Sequence, residues 1–343
     1  MSQIRSTVPP SLRGSARLIT RWDLDKTYLY TEFDTLRDLV RTALEKPEQK
    51  RDVPGAARLL KELAKDDVRV HIVSGSPRQL GRRLARKLTL DGVRFDQLTL
   101  KPNLSNLLRL RFRALHDQLG YKLPELLAAR LVDQQLAPAA QEVLVGDDAE
   151  ADALVYSLYA DLCAGHVDQK QLSRVLGATR VYNDRRRECL RIIPKLVTRN
   201  VVSRILIHLD RQSPPSRFWV YGKRVVPFYN YLQAAFVLTE DKFLGAESVL
   251  SIAREFIDKH HFDTDSLAKS YLDLMRRGHV DGSIVPLLER ALDAESGELA
   301  ELVERIRGFT QAPPKPVTIE PRPLDYVSLA YEFRSRRRKP RAR

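Results

Sequence analysis

Short apolar runs alternate with amphipathic stretches through the first half of the chain. Ala16 to Trp22, Val68 to Val73, Val93 to Leu100 and Glu142 to Val145 are rich in branched apolar residues and predict buried strands. Helical spacing predicts helices at about Thr35 to Leu44, Ala56 to Ala64, Arg78 to Leu88, Leu104 to Leu119, Leu123 to Val132 and Asp152 to Leu162. Pro54 and Gly55 open the second of these. Strands alternating with helices argue for an α/β fold with a parallel sheet and crossover helices over residues 16–168. From about Gln169 the apolar positions recur at helical spacing through Leu190 to Leu209, Pro227 to Val237, Ala246 to Ile257, Ser266 to Met275 and Ile284 to Ile306. A second, mostly α-helical domain is therefore expected over 169–310. Met1 to Ser15 reads as a loose N-terminal arm. Residues 311–343 read as a proline-rich linker, Gln311 to Pro323, and a basic tail from Arg334 expected to be disordered.

Polar residues of catalytic type stand just past the predicted strands, at the edge where open α/β sheets bind ligands. Asp23, Asp25 and Thr27 follow the first strand, Ser74 the second, and Gly146-Asp147-Asp148 with Asp152 the strand ending at Val145. If strand geometry continues past Trp22, Asp23 and Asp25 leave on one face. Two carboxylates that close are costly unless a cation lies between them, and Mg²⁺ suits oxygen donors. Together these residues suit phosphoryl transfer. One carboxylate attacks phosphorus and a neighbouring carboxylic acid protonates the leaving oxygen. A serine and a lysine hold the phosphoryl oxygens, while further carboxylates hold the metal. Two lysines compete for that role. Lys101 ends a strand before Pro102, and Lys122 opens a helix 24 residues before Gly146.

This order and spacing resemble the haloacid-dehalogenase superfamily of phosphatases. The resemblance implies a Rossmann-like parallel sheet, with Asp23 as nucleophile, Asp25 as general acid/base, Thr27 as loop support and Ser74 as phosphate binder. It implies Lys122 rather than Lys101 as the phosphate-binding lysine. Asp147 would be a Mg²⁺ ligand beside Asp23 and Asp25, with Asp148 or Asp152 helping to hold the metal. Asp23-Leu24-Asp25-Lys26-Thr27, Pro54-Gly55, Val73 through Leu80, and Gly146-Asp147-Asp148 with Asp152 and Tyr156 are also similar to the catalytic domain of the actin-patch type of phosphatidate phosphatase. That likeness spans about Ile19 to Leu162 and implies Mg²⁺-dependent removal of phosphate from phosphatidate. Arg78 and Asp148 depart from it, standing where the family tends to have an aromatic residue and Ser. Short gaps between the motifs leave no room for a large cap, which favours a bulky or lipid substrate. Nucleic-acid ends or phosphoproteins are the alternative substrates, and a non-catalytic scaffold on a phosphatase fold is the alternative to an enzyme.

Composition adds a charge and a compartment. The net charge is +14, of which the last ten residues carry seven. An anionic membrane surface or nucleic acid is the expected partner of that tail, against a purely solubilising role. Two cysteines make no disulfide framework, and no signal-like or membrane-spanning apolar run stands out, so a cytoplasmic location, with peripheral membrane contact, is expected. Arg217 to Leu232 mixes aromatic and basic residues and is assigned to core packing. His260, His261 and His279 show no ligand-like pattern.

Overall fold

A computed structural model of the chain describes residues 3–5, 16–29, 52–65, 67–101, 115–293, 297–320 and 322–338. Seven strands form one sheet: β1 (Gln3–Arg5), β2 (Leu18–Asp23), β3 (Val68–Pro77), β4 (Gln97–Lys101), β5 (Gln141–Asp147), β6 (Val202–His208) and β7 (Val225–Phe228). Their order is β1-β4-β3-β2-β5-β6-β7. Strands β2 to β7 are mutually parallel, and β1 adds antiparallel at the β4 edge. Part of the arm expected to be loose is therefore a paired edge strand.

Twelve helices cover the sheet: α1 (Ala56–Leu63), α2 (Gly81–Leu90), α3 (Leu115–Leu136), α4 (Asp152–Cys163), α5 (Gln169–Ala178), α6 (Asn183–Ile192), α7 (Tyr231–Glu240), α8 (Ala246–His260), α9 (Thr264–Arg276), α10 (Val285–Ala291), α11 (Gly297–Gln311) and α12 (Tyr326–Arg338). The region after 169 is mostly helical, as its spacing predicts, with two exceptions. Val202–His208, inside a run read as helical, and Val225–Phe228, which overlaps the start of another at Pro227, are strands that extend the same sheet. A strand buried on both faces is apolar without alternation, so periodicity cannot separate it from a buried helix. Pro227 is tolerated because β7 is an edge strand. The expected helix at Thr35 to Leu44 and the first part of Leu104 to Leu119 lie outside the described residues. The C-terminal run from Arg334 is helical through Arg338 rather than disordered, because α12 packs on α5.

Period-two alternation assigns each strand residue to a face. Leu18 and Trp22 of β2, Val70 and Ile72 of β3, and Val143 and Val145 of β5 join one core with α1, α2 and α7 to α11. Leu144 of β5 and Ile205 and Ile207 of β6 join a second core with α3 to α6 and α12. Helices from the second half of the chain thus lie on both faces of the sheet.

Arg21 points to the second face and is wholly buried. Its guanidinium donates to Glu142 Oε2 and Oε1 at 2.8 and 3.0 Å, to Asp133 Oδ2 at 2.8 Å, and to His71 Nδ1 at 3.0 Å. Tyr159 OH also donates to Glu142, at 2.7 Å. Removing any one partner would strand a buried charge. The alternation that turns Arg21 toward α3 and α4 turns Asp23 the same way, one pleat nearer the carboxyl edge.

Candidate active site

Asp23 ends β2 at 1% exposure, and α3 and α4 supply its neighbours. Lys122 Nζ on α3 lies 3.2 Å from Asp23 Oδ1 and 2.9 Å from Glu150 Oε2, and it contacts Asp152 Oδ1. Asp147 ends β5, the strand beside β2. Its Oδ1 accepts from the amides of Ala149 and Glu150 at 2.6 and 2.9 Å, an Asx turn that hands the chain into α4. Asp152 Oδ2 accepts from the Asp147 amide at 3.1 Å. Gly146 makes that approach possible. A Cβ there would overlap the Asp152 carboxylate, with Asp152 Cβ and Cγ at 2.7 Å.

One oxygen each from Asp23, Asp147 and Asp152 lies within 4.8 Å of the others. Asp23 Oδ2 and Asp147 Oδ2 are buried and have no hydrogen-bond partner among the described residues. Both oxygens of Asp152 are already engaged, by Lys122 and by the Asp147 amide. Two orphaned carboxylate oxygens beside a third carboxylate are a donor set suited to a hard divalent cation. Asp152 then serves chiefly to seat Lys122.

The electrostatics follow from this packing. Burial lifts the Asp23 carboxyl well above the usual carboxylate range; Lys122 opposes the shift, and Asp152, Glu150 and Asp147 reinforce it. Asp147 is lifted in the same way, by burial first and then by Asp152 and Glu150. Burial alone would push Lys122 down, but Asp152, Asp23 and Glu150 together hold it well above its ordinary value. It is a fixed cation among buried carboxylates that a second cation would relieve.

Asp25 is not among the three clustered carboxylates. The strand ends at Asp23, and the chain folds back through Lys26, whose φ is 62°. The turn closes on itself, with Lys26 N donating to Leu29 O at 2.9 Å and Tyr28 N to Leu24 O at 3.0 Å. The expectation of two carboxylates on one face assumed that extended geometry continued, and this turn ends it. Asp25 Oδ2 instead accepts from Ser74 Oγ at 3.0 Å and Ser76 Oγ at 2.9 Å. Ser74 thus faces Asp25 at the end of β3. Thr27 is fully buried with its hydroxyl unpartnered among the described residues.

Asp148 also stands apart from the three clustered carboxylates. Its oxygens accept from the backbone amides of Arg211 at 2.8 Å and Ser213 at 3.0 Å, tying the turn after β5 to the loop after β6. Lys101, at the end of β4, lies with its Nζ 5.1 Å from the Tyr121 ring centroid. Burial lowers its pKa, against the pull of Glu150 and Asp117. Lys122 is in ion-pair contact with Asp23 at 3.2 Å.

Three contributors were not singled out from the sequence. Glu150 pairs with Lys122, and its position three residues after Asp147 was the available signal. His208 ends β6 and uses Nδ1 to donate to the Lys26 carbonyl at 3.2 Å, pinning the turn. Tyr231, on α7, donates to the Thr27 carbonyl and stacks on Trp22 at 5.9 Å and on His208 at 5.5 Å. It lies within Arg217 to Leu232, whose assignment to core packing holds for Val225 to Phe228, Tyr231 and Leu232, while Trp219, Val220 and Tyr229 are exposed.

The family model described as the catalytic domain of phosphatidate phosphatase APP1 matches residues 19–171. The matched domain is a haloacid-dehalogenase-like phosphatase domain, and the activity it marks is phosphoric monoester hydrolysis of the phosphatidate phosphatase kind. The match runs from β2 to the start of α5, so it contains Asp23, Ser74, Lys122, Asp147 and Asp152 but neither β6 nor β7. No curated protein matches the chain. No helix among the described residues is long and apolar enough to cross a membrane.

Proposed function

We propose that the chain is a Mg²⁺-dependent phosphatidate phosphatase that works through an aspartyl-phosphate on Asp23. One observation carries the reading: Asp23, Asp147 and Asp152 converge around a buried lysine, with two carboxylate oxygens left unpartnered. Asp23 and Asp147 would hold the metal, with Asp152 beside them. When bound, the cation offsets the charge of an anionic nucleophile meeting an anionic phosphate.

The remaining steps belong to the chain's own side chains. Asp23 attacks phosphorus as the bond from phosphorus to the glycerol oxygen breaks. Asp25, oriented by Ser74 and Ser76, gives its proton to that leaving oxygen. The Asp25 carboxylate then takes a proton from water, whose oxygen attacks the aspartyl-phosphate. Phosphate leaves and the Asp23 carboxylate is restored. Lys122 neutralises charge on the phosphoryl oxygens from a fixed position, with no reorganisation during the reaction. Tyr231 and His208 fix the turn that carries Asp25 and Thr27. The phosphate-binding role of Ser74 belongs to this proposal, as does the assignment of the acid to Asp25.

The test is phosphate release from phosphatidate in mixed micelles, with Mg²⁺ and with EDTA, for wild type beside Asp23→Asn. Release is expected only from wild type with metal. Wild-type turnover by Asp23→Asn would remove the nucleophile assignment. Release from a 5′-phosphorylated oligonucleotide but not from the lipid would keep the chemistry and replace the substrate.

A further inference from the structure

Two stretches far apart in the chain carry its entire net charge. Residues 170–199 hold nine Lys or Arg against only Asp184 and Glu188, and residues 334–343 hold seven Lys or Arg and no acid. The remainder is neutral overall. The fold brings the middle of the first stretch beside Arg334, at the start of the second. Helix α4 runs from the active-site edge at Asp152 to the opposite edge at Cys163, and α5 returns. The corner from Ala178 to Tyr182 is thereby back at the active-site edge. There the Tyr182 ring packs edge-on against His116, at 5.8 Å between centroids, less than two turns before Lys122 on α3.

Helix α12 lies along the same layer and in the same direction as α5. At its start, Tyr326 OH donates to Asp161 Oδ2 at 2.6 Å, near the far end of α4. Toward its end, Arg334 donates to the Ala178 carbonyl at 3.4 Å. The described end of α12, with Arg334, is therefore brought to the edge where Asp23 and Lys122 sit. Beside it Arg180 and Arg187 are exposed, while Lys170 and Arg191, likewise exposed, lie toward the opposite edge, where Gln169 Nε2 donates to the Leu190 carbonyl at 3.0 Å. Tyr182 and Tyr331 are 57% and 56% exposed on this flank. The acids on this flank are Glu188, paired with Arg185 at 2.9 Å, Asp117, 3.5 Å from His116, Glu125 near Glu188 and Arg185, and the exposed Asp184 and Glu332.

We propose that this flank, from Arg180 and Tyr182 to the end of α12, docks on an anionic lipid bilayer. Concentrated Arg with exposed Tyr at the rim suits the headgroup region, where a ring can sit at the interface while cations meet lipid phosphates. Docking by this flank sets the active-site edge beside the surface that carries the substrate. That last consequence rests on the reading of the site as a phosphatidate phosphatase; the docking itself does not.

The experiment is co-sedimentation of the full chain with vesicles that contain no phosphatidate. One set is phosphatidylcholine alone and the other is phosphatidylcholine with phosphatidylglycerol, each at low and high NaCl. Wild type and Asp23→Asn are expected to bind the anionic vesicles alike, to ignore the neutral ones, and to be released by salt. Each basic residue at such a surface contributes about fivefold in partitioning. The Arg180→Glu/Arg187→Glu variant, and separately Arg334→Glu, should lose more than tenfold, with the rate on a soluble aryl phosphate unchanged. Failure of wild type to bind, or full binding by both variants, overturns the proposal. A duplex oligonucleotide that displaces the protein from the vesicles at equal phosphate concentration would assign the flank to nucleic acid instead. Because these vesicles carry no substrate, the result is independent of whether Asp23 hydrolyses a lipid.

Discussion

Lys122→Met removes the one side chain on which the candidate site's charge balance rests. Lys122 is 2% exposed and contacts Asp23, Glu150 and Asp152. Methionine keeps the volume and deletes the charge. Removing one partner of a buried ion pair costs about 3–5 kcal/mol, because the other charge is left unpaired in a low-dielectric site. For 343 residues the unfolding entropy is about 0.7 kcal/mol per kelvin, so the metal-free protein should melt about 4–7 °C lower. Mg²⁺ would restore positive charge among the same carboxylates, so it should raise the Tm of the variant more than that of wild type. Catalysis should fall by about 10²–10³, the usual loss when a fixed donor to a developing oxyanion is removed. The assay is thermal melting in EDTA and in Mg²⁺, beside phosphate release from an aryl phosphate. Equal melting temperatures in EDTA, with equal Mg²⁺ shifts, would refute the claim that Lys122 balances this site.

Four further outcomes follow from the structure. Asp147→Ala should abolish the Mg²⁺-induced rise in Tm. Asp148→Ala, which frees only the Arg211 and Ser213 amides, should retain it while altering turnover through the loop after β6. Gly55→Ala should cost roughly 2–4 kcal/mol in a denaturant melt, because Gly55 has a φ of 79° and a Cβ there would meet Phe256 Cε2 at 2.6 Å. Burial pushes His71 down to about 4 and His279 down to about 3 from an ordinary 6.5. Each therefore stays neutral in the folded chain while the unfolded chain takes up protons below 6.5. Stability is full above that pH and falls as the pH drops toward 4, by roughly 2 kcal/mol per histidine between pH 7 and 5. His279→Gln should flatten that decline in urea melts taken across this range.

The sequence by itself determined the local parts of this protein. Short apolar runs marked β2 to β5, and the polar residues that follow them placed Asp23, Ser74 and Asp147 at one end. In a parallel sheet the carboxyl ends share an edge, so residues past successive strands must meet. The family resemblance also favoured Lys122, which the structure puts in contact with Asp23. What the sequence could not determine was where each polar side chain turns once its strand has ended. Asp25 reaches Ser74 and Ser76, and Asp148 reaches amides more than sixty residues away, because a backbone turn and a neighbouring strand's register choose their partners. The same holds for Tyr231, which supports Thr27 across 204 residues, and for β6 and β7, whose apolar runs suit a helix or a doubly buried strand equally well. Arg180 and Arg334 lie at unrelated places in the chain, and only the packing of α12 on α5 brings them to one edge. Local pattern fixes which groups are buried and near which strand end. Long-range packing fixes which of them touch, and chemistry depends on contact.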